Sequence, residues 1–236
     1  MQKIKKAMIL AAGFGTRLKP LTETLPKALV KVKGVPMIEP VIKKLVKSGI
    51  KDIVINTHHF ADLMNKFFSE NNYGVNVHLI FEKELLGTGG GIKNAKKFFD
   101  EEEAFIVHNV DVDSDIDFDK MEVVHYENSP LSTLAVKYRK TNRPLIIDSR
   151  LNLIGRKSRD KFFRYRKPVG GESYPGFCGI HILSSLIFGK MTENGFFDIF
   201  TTYFRIISEG NKIMAYDINN EFWQDLGTID KNVHSL

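Results

Sequence analysis

Arg17 and Lys27 follow a stretch of residues with little or no side chain, Ala11, Ala12, Gly13 and Gly15, itself preceded by the apolar run Ala7 to Leu10. A turn of this kind lets backbone N–H groups approach an anion closely and line a concavity around it. Arg17 presents a planar fork and Lys27 a point charge, so their order along the loop suggests two different phosphates. The chemistry expected of this set is the gripping of a nucleoside triphosphate. Spacing excludes two other phosphate loops. The dinucleotide fingerprint needs a third glycine where Leu18 stands, and Pro20 keeps a long helix from opening there. Gly-Lys-Ser/Thr follows no glycine-rich turn in the chain, which excludes a P-loop.

A second chemical position lies at Asp111. The apolar run Ala104 to Val107 reads as a buried strand, and a carboxylate just past its end, after His108, Asn109 and Val110, is placed to hold a metal ion. Asp113, Asp115, Asp117 and Asp119 are evenly spaced acids that read as a solvated turn and helix start. Gly87, Gly89, Gly90 and Gly91 form a cluster with Thr88, costly in chain entropy unless backbone must approach something. His58 and His59 are adjacent on a short loop and project differently, so they read as pocket lining rather than as metal ligands.

Leu10 to Lys27 resembles the signature of the sugar-1-phosphate nucleotidylyltransferases, roughly Leu-Ala-Ala/Gly-Gly-x-Gly-Thr-Arg-Leu-x-Pro-Leu-Thr and then Pro-Lys. Four later segments extend the resemblance to about Asp230: the Gly87 loop, Asn109-Val110-Asp111, Phe177-Cys178-Gly179-Ile180, and Phe222-Trp223-Gln224-Asp225-Leu226-Gly227-Thr228. It implies that Leu10, Ala11, Ala12, Gly13, Gly15 and Thr16 hold the nucleotide with Asn109, and that Gly87 and Thr88 read the base edge. It implies Asp225 as the second ligand, beside Asp111, of a Mg²⁺ ion. On the sugar side it implies Gly179 and Lys167. Arg166 stands where the family commonly has a glutamate, and Glu172 is the expected substitute. Val110 stands where the family has glycine.

The implied reaction is attack by a sugar 1-phosphate oxygen on the α-phosphorus of an NTP, releasing pyrophosphate. The nucleophile is already an anion, so the expected machinery is positioning and charge neutralisation by Arg17, Lys27, Asp111 and Asp225. The likeness is to short members acting on N-acetylmuramate 1-phosphate or on hexose and heptose 1-phosphates. Two alternatives share parts of it: a phosphocholine cytidylyltransferase, through Leu21 to Val30, and a regulatory nucleotide-sugar binder without catalysis.

These residues need elements to hold them in place. Beyond Ala7 to Leu10, the pattern predicts a helix over Pro36 to Lys47 stopped by Gly49, a strand over Ile53 to Ile55 and a helix over Phe60 to Ser69. A strand over Val75 to Ile80 and a helix over Ile92 to Phe99 follow. This βαβ rhythm predicts an α/β fold with a mostly parallel sheet and ligands at the carboxyl ends of its strands. With the resemblance, the expectation is a Rossmann-like three-layer αβα sandwich, a single nucleotidyltransferase domain over 1–236 without a C-terminal β-helix. The apolar stretch Phe196 to Ile207 reads as a core helix rather than a dimer face, and a monomer or homodimer is expected.

Composition narrows the partners. The 236 residues are 43% hydrophobic and 26% charged, with a net charge of +6. Arg156 to Lys167 mixes basic residues with Phe162, Phe163 and Tyr165, a combination that can bind single-stranded nucleic acid. The adopted reading is a solvated hairpin beside an anionic substrate pocket, with no nucleic-acid partner, because phosphate substrates also favour positive potential. No apolar run approaches the roughly 20 residues that span a bilayer, so no membrane partner is expected. A single cysteine, Cys178, agrees with a cytoplasmic location.

Overall fold

Alternate residues of the central strands face two different cores. In β1 (Lys6–Leu10), Ala7 and Ile9 join one cluster and Met8 the other, as the period of two requires. The chain, seen in a computed structural model, is described over residues 3–227; Thr228 and the Asp230 end of the resemblance lie outside them.

After β1 come the short hairpin β2 (Lys31–Val32) and β3 (Val35–Pro36), then α1 (Ile38–Lys47), β4 (Asp52–Thr57), α2 (Ala61–Glu70) and β5 (Asn76–Phe81). Next are α3 (Gly87–Asn94), β6 (Ala104–Asn109), β7 (Val112–Ser114), α4 (Phe118–Asn128) and β8 (Ser132–Lys137). A small sheet follows, made of β9 (Leu145–Asp148), β10 (Leu153–Ser158), β11 (Lys161–Arg164) and β12 (Glu172–Ser173). The chain then runs through β13 (Gly176–Ser184), α5 (Ile199–Ser208), β14 (Ile213–Asp217) and β15 (Trp223–Asp225).

The main sheet has seven strands in the order β14-β8-β13-β6-β1-β4-β5. Neighbours run parallel except β13, which is antiparallel to both β6 and β8. Apolar residues of α1, α2 and α4 cover the face of Ala7, Ile9, Ile53 and Ile106, and those of α3 and α5 cover the face of Met8, Val54 and Phe105. The fold is therefore the expected α/β sandwich of three layers. The expected core helix is found as α5, in which Ile199, Phe200, Tyr203, Phe204, Ile206 and Ile207 are buried. It starts after Asp198, whose side chain caps it, and Phe196 stands outside it, 68% exposed. The basic aromatic stretch is the expected solvated hairpin, β10–β11, whose second strand is exposed throughout.

One element differs from the sequence reading. The glycine cluster is not a loop before a helix over Ile92 to Phe99; it is the helix α3 itself, Gly87–Asn94, with a 3₁₀ turn over Lys96–Phe98. Glycine is a poor helix former, so packing must supply the reason. A methyl on Gly89 would overlap the Phe197 ring, and one on Gly90 would lie 2.5 Å from the Gly195 carbonyl oxygen. Glycine lets α3 approach the Phe196–Phe197 segment at backbone distance.

Candidate active site

Three parallel strands end at one level. Leu10 of β1 is in register with Asn56 of β4 on one side and with Asn109 of β6 on the other. The Asn56 side chain ties the level together: its Oδ1 accepts from Ala11 N–H (2.8 Å) and its Nδ2 donates to Glu82 Oε1 (2.7 Å). Glu82, 2% exposed, accepts on Oε2 from Leu86 N–H at the entry to α3. Asn56 and Glu82 were not anticipated from sequence, although a polar residue ending the apolar run Ile53 to Ile55 was the available signal.

A cavity of about 410 Å³ opens over these strand ends. Leu10, Ala12, Gly13 and Asn109 line it, with Gly87 and Thr88 at the α3 side and Arg17, Lys27 and Asp111 at the other. A cavity of similar size between Asp100–Glu103 and Leu186 is lined, among the described residues, by no lysine or arginine and suits no polyphosphate.

The loop after β1 is built by short 3₁₀ turns at Thr16–Leu18, Leu21–Glu23 and Lys27–Leu29. Gly15 has φ +62°, and a Cβ there would lie 2.8 Å from Thr22 Cγ2 and 3.1 Å from Lys27 Cβ. Gly15 and Thr16 thus shape the loop that carries Arg17 and Lys27, and neither is among the residues lining the cavity. Ala11 requires a correction: its N–H is taken by Asn56 and is not available to a phosphate.

Asp111 is 8% exposed and accepts a hydrogen bond from the Lys27 ammonium. Arg17 Nη2 lies 3.8 Å from Asp111 Oδ2, and its Nη1 lies 3.8 Å from Asp225 Oδ2. The two carboxylates, far apart in sequence, meet because β15 pairs antiparallel with β7, setting Asp225 opposite Val112. Leu226 N–H then donates to the Asp111 carbonyl (2.8 Å), and Gly227 N–H to Asp225 Oδ1 (2.7 Å). A methyl on Gly227 would collide with Asp111 Oδ2 and sit 2.9 Å from Asp225 Oδ1, so the two oxygens converge on one small space. Among the described residues no three His, Cys, Asp or Glu side chains gather into a metal cluster. Two oxygen donors fit a hard divalent cation that completes its shell with phosphate oxygens and water.

Val110, which replaces the family's glycine, is 2% exposed and packs in the core shared by Ala7 and Ile9. Gly179 has φ +74°, and a Cβ there would lie 2.9 Å from Asn109 Nδ2. It therefore backs the asparagine. Lys167 and Glu172 are not brought to this cavity. Lys167 is exposed, and Glu172 takes two hydrogen bonds from Arg164 (2.7 Å each) and one from Tyr174 (3.0 Å). That pairing holds the Glu172 carboxyl below its ordinary range. His58 Nδ1 meets the Glu82 carbonyl (2.8 Å), and its ring packs edge-on against Phe14. Asp117 caps α4, the helix start expected of the acidic run, whereas Asp113 lies not in a turn but in strand β7 opposite Gln224. Cys178 is buried, which pushes its thiol up to about 12, and its carbonyl accepts from Trp223 Nε1 (2.8 Å), joining β13 to β15.

Residues 6–144 match the Nucleotidyl transferase family. A mannose-1-phosphate guanyltransferase of Gibberella zeae is 30% identical, the match covering 94% of this chain and 60% of that protein. One from Hypocrea jecorina is 32% identical with the same coverage. The chain thus spans about 60% of the length of the curated relatives it matches. Among solved structures, HddC from Yersinia pseudotuberculosis complexed with GMP-PN has a TM-score of 0.76 at 23% identity, covering 98% of this chain and 97% of that one. The inositol-1-phosphate CTP transferase from T. maritima has a TM-score of 0.79 at 16% identity, covering 98% and 94%. At such identities these two bear on the fold alone. No helix of the described residues is long and apolar enough to cross a membrane.

Proposed function

The chain belongs to the nucleotidyl transferase family, and from that premise we propose that it joins a nucleoside triphosphate to a sugar 1-phosphate, giving a nucleotide sugar and pyrophosphate. The observation that carries this reading is the convergence of Arg17, Lys27, Asp111 and Asp225 beside one cavity whose other wall is the glycine helix. An oxygen of the acceptor phosphate forms a bond to the α-phosphorus as the bond from that phosphorus to the bridging oxygen breaks and pyrophosphate leaves. No proton has to be removed from the attacking anion, so the protein's task is to align and neutralise.

Each residue has a part in that task. Arg17 offers its fork to the departing phosphates, and Lys27, seated deeper, meets the reacting ones. Asp111 and Asp225 would hold Mg²⁺, which supplies Lewis-acid charge at the phosphates. Gly87 and Thr88 face the base, Asn109 faces the nucleotide, and Gly179 sets the Asn109 side chain. The curated relatives, named as mannose-1-phosphate guanyltransferases, support GTP as nucleotide and an aldose 1-phosphate as the class of acceptor.

Pyrophosphate release, measured with Mg²⁺ over five NTPs (dTTP included) against a panel of sugar 1-phosphates and phosphocholine, tests the reading. Release that needs one NTP together with one sugar phosphate supports it. Release with CTP and phosphocholine, or none across the matrix, overturns it.

A further inference from the structure

A second, smaller cavity of about 180 Å³ shares Asp198 with the nucleotide cavity and is lined by Arg139, Arg143 and Arg156. These arginines come from two segments: Arg139 and Arg143 from the connection between β8 and β9, and Arg156 from the middle of β10. Among the described residues the arginines paired with carboxylates are Arg17, Arg164 and Arg205, so these three are not among them. Among the described residues Asp198 is the one acid in the lining, and it is engaged with Phe200 N–H (2.9 Å) at the start of α5 and with the Thr88 hydroxyl (3.5 Å). Three cations against one acid leave an excess of positive charge over walls formed by Leu145, Phe177 and Phe200, where low dielectric strengthens attraction for an anion.

Arg139 fixes where this cavity lies. Its Nη2 donates to the Phe177 carbonyl (2.8 Å), its guanidinium sits 4.4 Å from the Trp223 ring centre, and its Nε is buried without a partner. Trp223 and Asp225 share one face of β15, two residues and therefore about 7 Å apart. Gly179, which backs Asn109, follows Phe177 by two residues on β13. Through Trp223 the cavity is thus displaced from the two carboxylates along β15.

We propose that the acceptor is a sugar 1-phosphate carrying a second acidic group, a carboxylate or a further phosphate, and that Arg139, Arg143 and Arg156 receive that group. The inference rests on the transfer reaction proposed above. The 1-phosphate goes to the carboxylate pair with the NTP, and the arginine cavity takes the other end of the sugar. A forked donor set suits either oxyanion.

The test is equilibrium binding by calorimetry to the whole chain, alongside pyrophosphate release, with glucose 1-phosphate, glucose 1,6-bisphosphate and glucuronate 1-phosphate as probes. At least one of the two doubly acidic probes is expected to bind about tenfold more tightly than glucose 1-phosphate, as charge-assisted hydrogen bonds predict, and which one does so separates phosphate from carboxylate. Arg143→Gln combined with Arg156→Gln is expected to erase that preference through KM while leaving glucose 1-phosphate as it was. Arg143 is exposed, so Arg143→Gln alone serves if the pair fails to fold. Equal binding of all three probes, or equal weakening of all three in the variant, overturns the proposal. Tight binding of an acidic probe with no pyrophosphate from any NTP overturns the transfer reaction alone, and binding of none overturns both.

Discussion

Lys27 and Asp111 form a direct ion pair beside the nucleotide cavity, with side chains only 14% and 11% exposed. A phosphate-directed cation and a metal-directed acid thus hold each other in place, and Arg17 bridges the same acid to Asp225. A charge pair this shielded needs both members, because removing one leaves the other stranded.

The first prediction follows from that pairing. Asp111→Asn keeps an oxygen acceptor for Lys27 but strands its charge, so the protein should lose stability yet stay folded, checked by circular dichroism, while pyrophosphate release falls at least about 100-fold, the scale of losing one electrostatic stabiliser. Asp225→Asn should behave alike. Near-normal turnover by either variant would remove that residue from the machinery.

Metal removal gives the second prediction. Two carboxylates, with no third His, Cys, Asp or Glu gathered beside them among the described residues, make a weak site that substrate oxygens complete. Dialysis against EDTA should abolish turnover, added Mg²⁺ should restore it, and the restoring concentration should fall as NTP rises. Unchanged activity in EDTA would exclude the metal.

The third concerns the glycine helix. A Cβ on Gly91 would lie 2.8 Å from Asn56 Nδ2 and 2.9 Å from Glu82 Oε1, within the chain of hydrogen bonds that fixes Ala11. Gly91→Ala should cost about 1–3 kcal/mol by urea unfolding, as overpacking does, and should weaken NTP binding. At Gly189 nothing among the described residues lies within 4 Å of an added Cβ, so Gly189→Ala should stay within about 0.5 kcal/mol. Equal costs at the two positions would defeat the account.

That helix also marks where sequence reading stops. The strands could be read because a strand buried on both faces is continuously apolar, as in Ala7 to Leu10 and Ala104 to Val107. The Gly87 segment defied its propensity because Phe197 and Gly195, over a hundred residues on, leave no room for side chains. Asp111 could be placed from its own strand. The meeting with Asp225 depends on the β7–β15 pairing, and the arginine cavity on bringing the β8–β9 connection to β10, so neither has a local signal. Glu172, expected from the resemblance to substitute for the family's glutamate on the sugar side, instead serves Arg164 on the small sheet. Glu172→Gln should therefore leave turnover within about twofold, since its partner Arg164 is exposed and neither residue lines the nucleotide cavity.

The last prediction is a pH dependence of stability. His125 is buried between α4 and β8, with Nδ1 2.9 Å from the Thr133 hydroxyl, and burial lowers its pKa from 6.5 to about 4. Burial likewise lowers His108 to about 4, and His181, whose Nδ1 meets the Tyr203 hydroxyl (2.6 Å), to about 3. All three are neutral in the folded chain and protonate more readily once unfolded. The unfolded state thus binds more protons, and stability must rise with pH wherever the two states differ. Stability should be full above pH 6.5 and fall as pH drops from there toward 4, each histidine contributing about 1.4 kcal/mol per pH unit inside that window. Urea midpoints at pH 7.5, 6.0 and 5.0 measure the slope. His125→Asn removes one titrating group and should flatten it by about a third, whatever it does to stability at pH 7.5. Parallel slopes for the two proteins would show that His125 titrates alike in the folded and unfolded states.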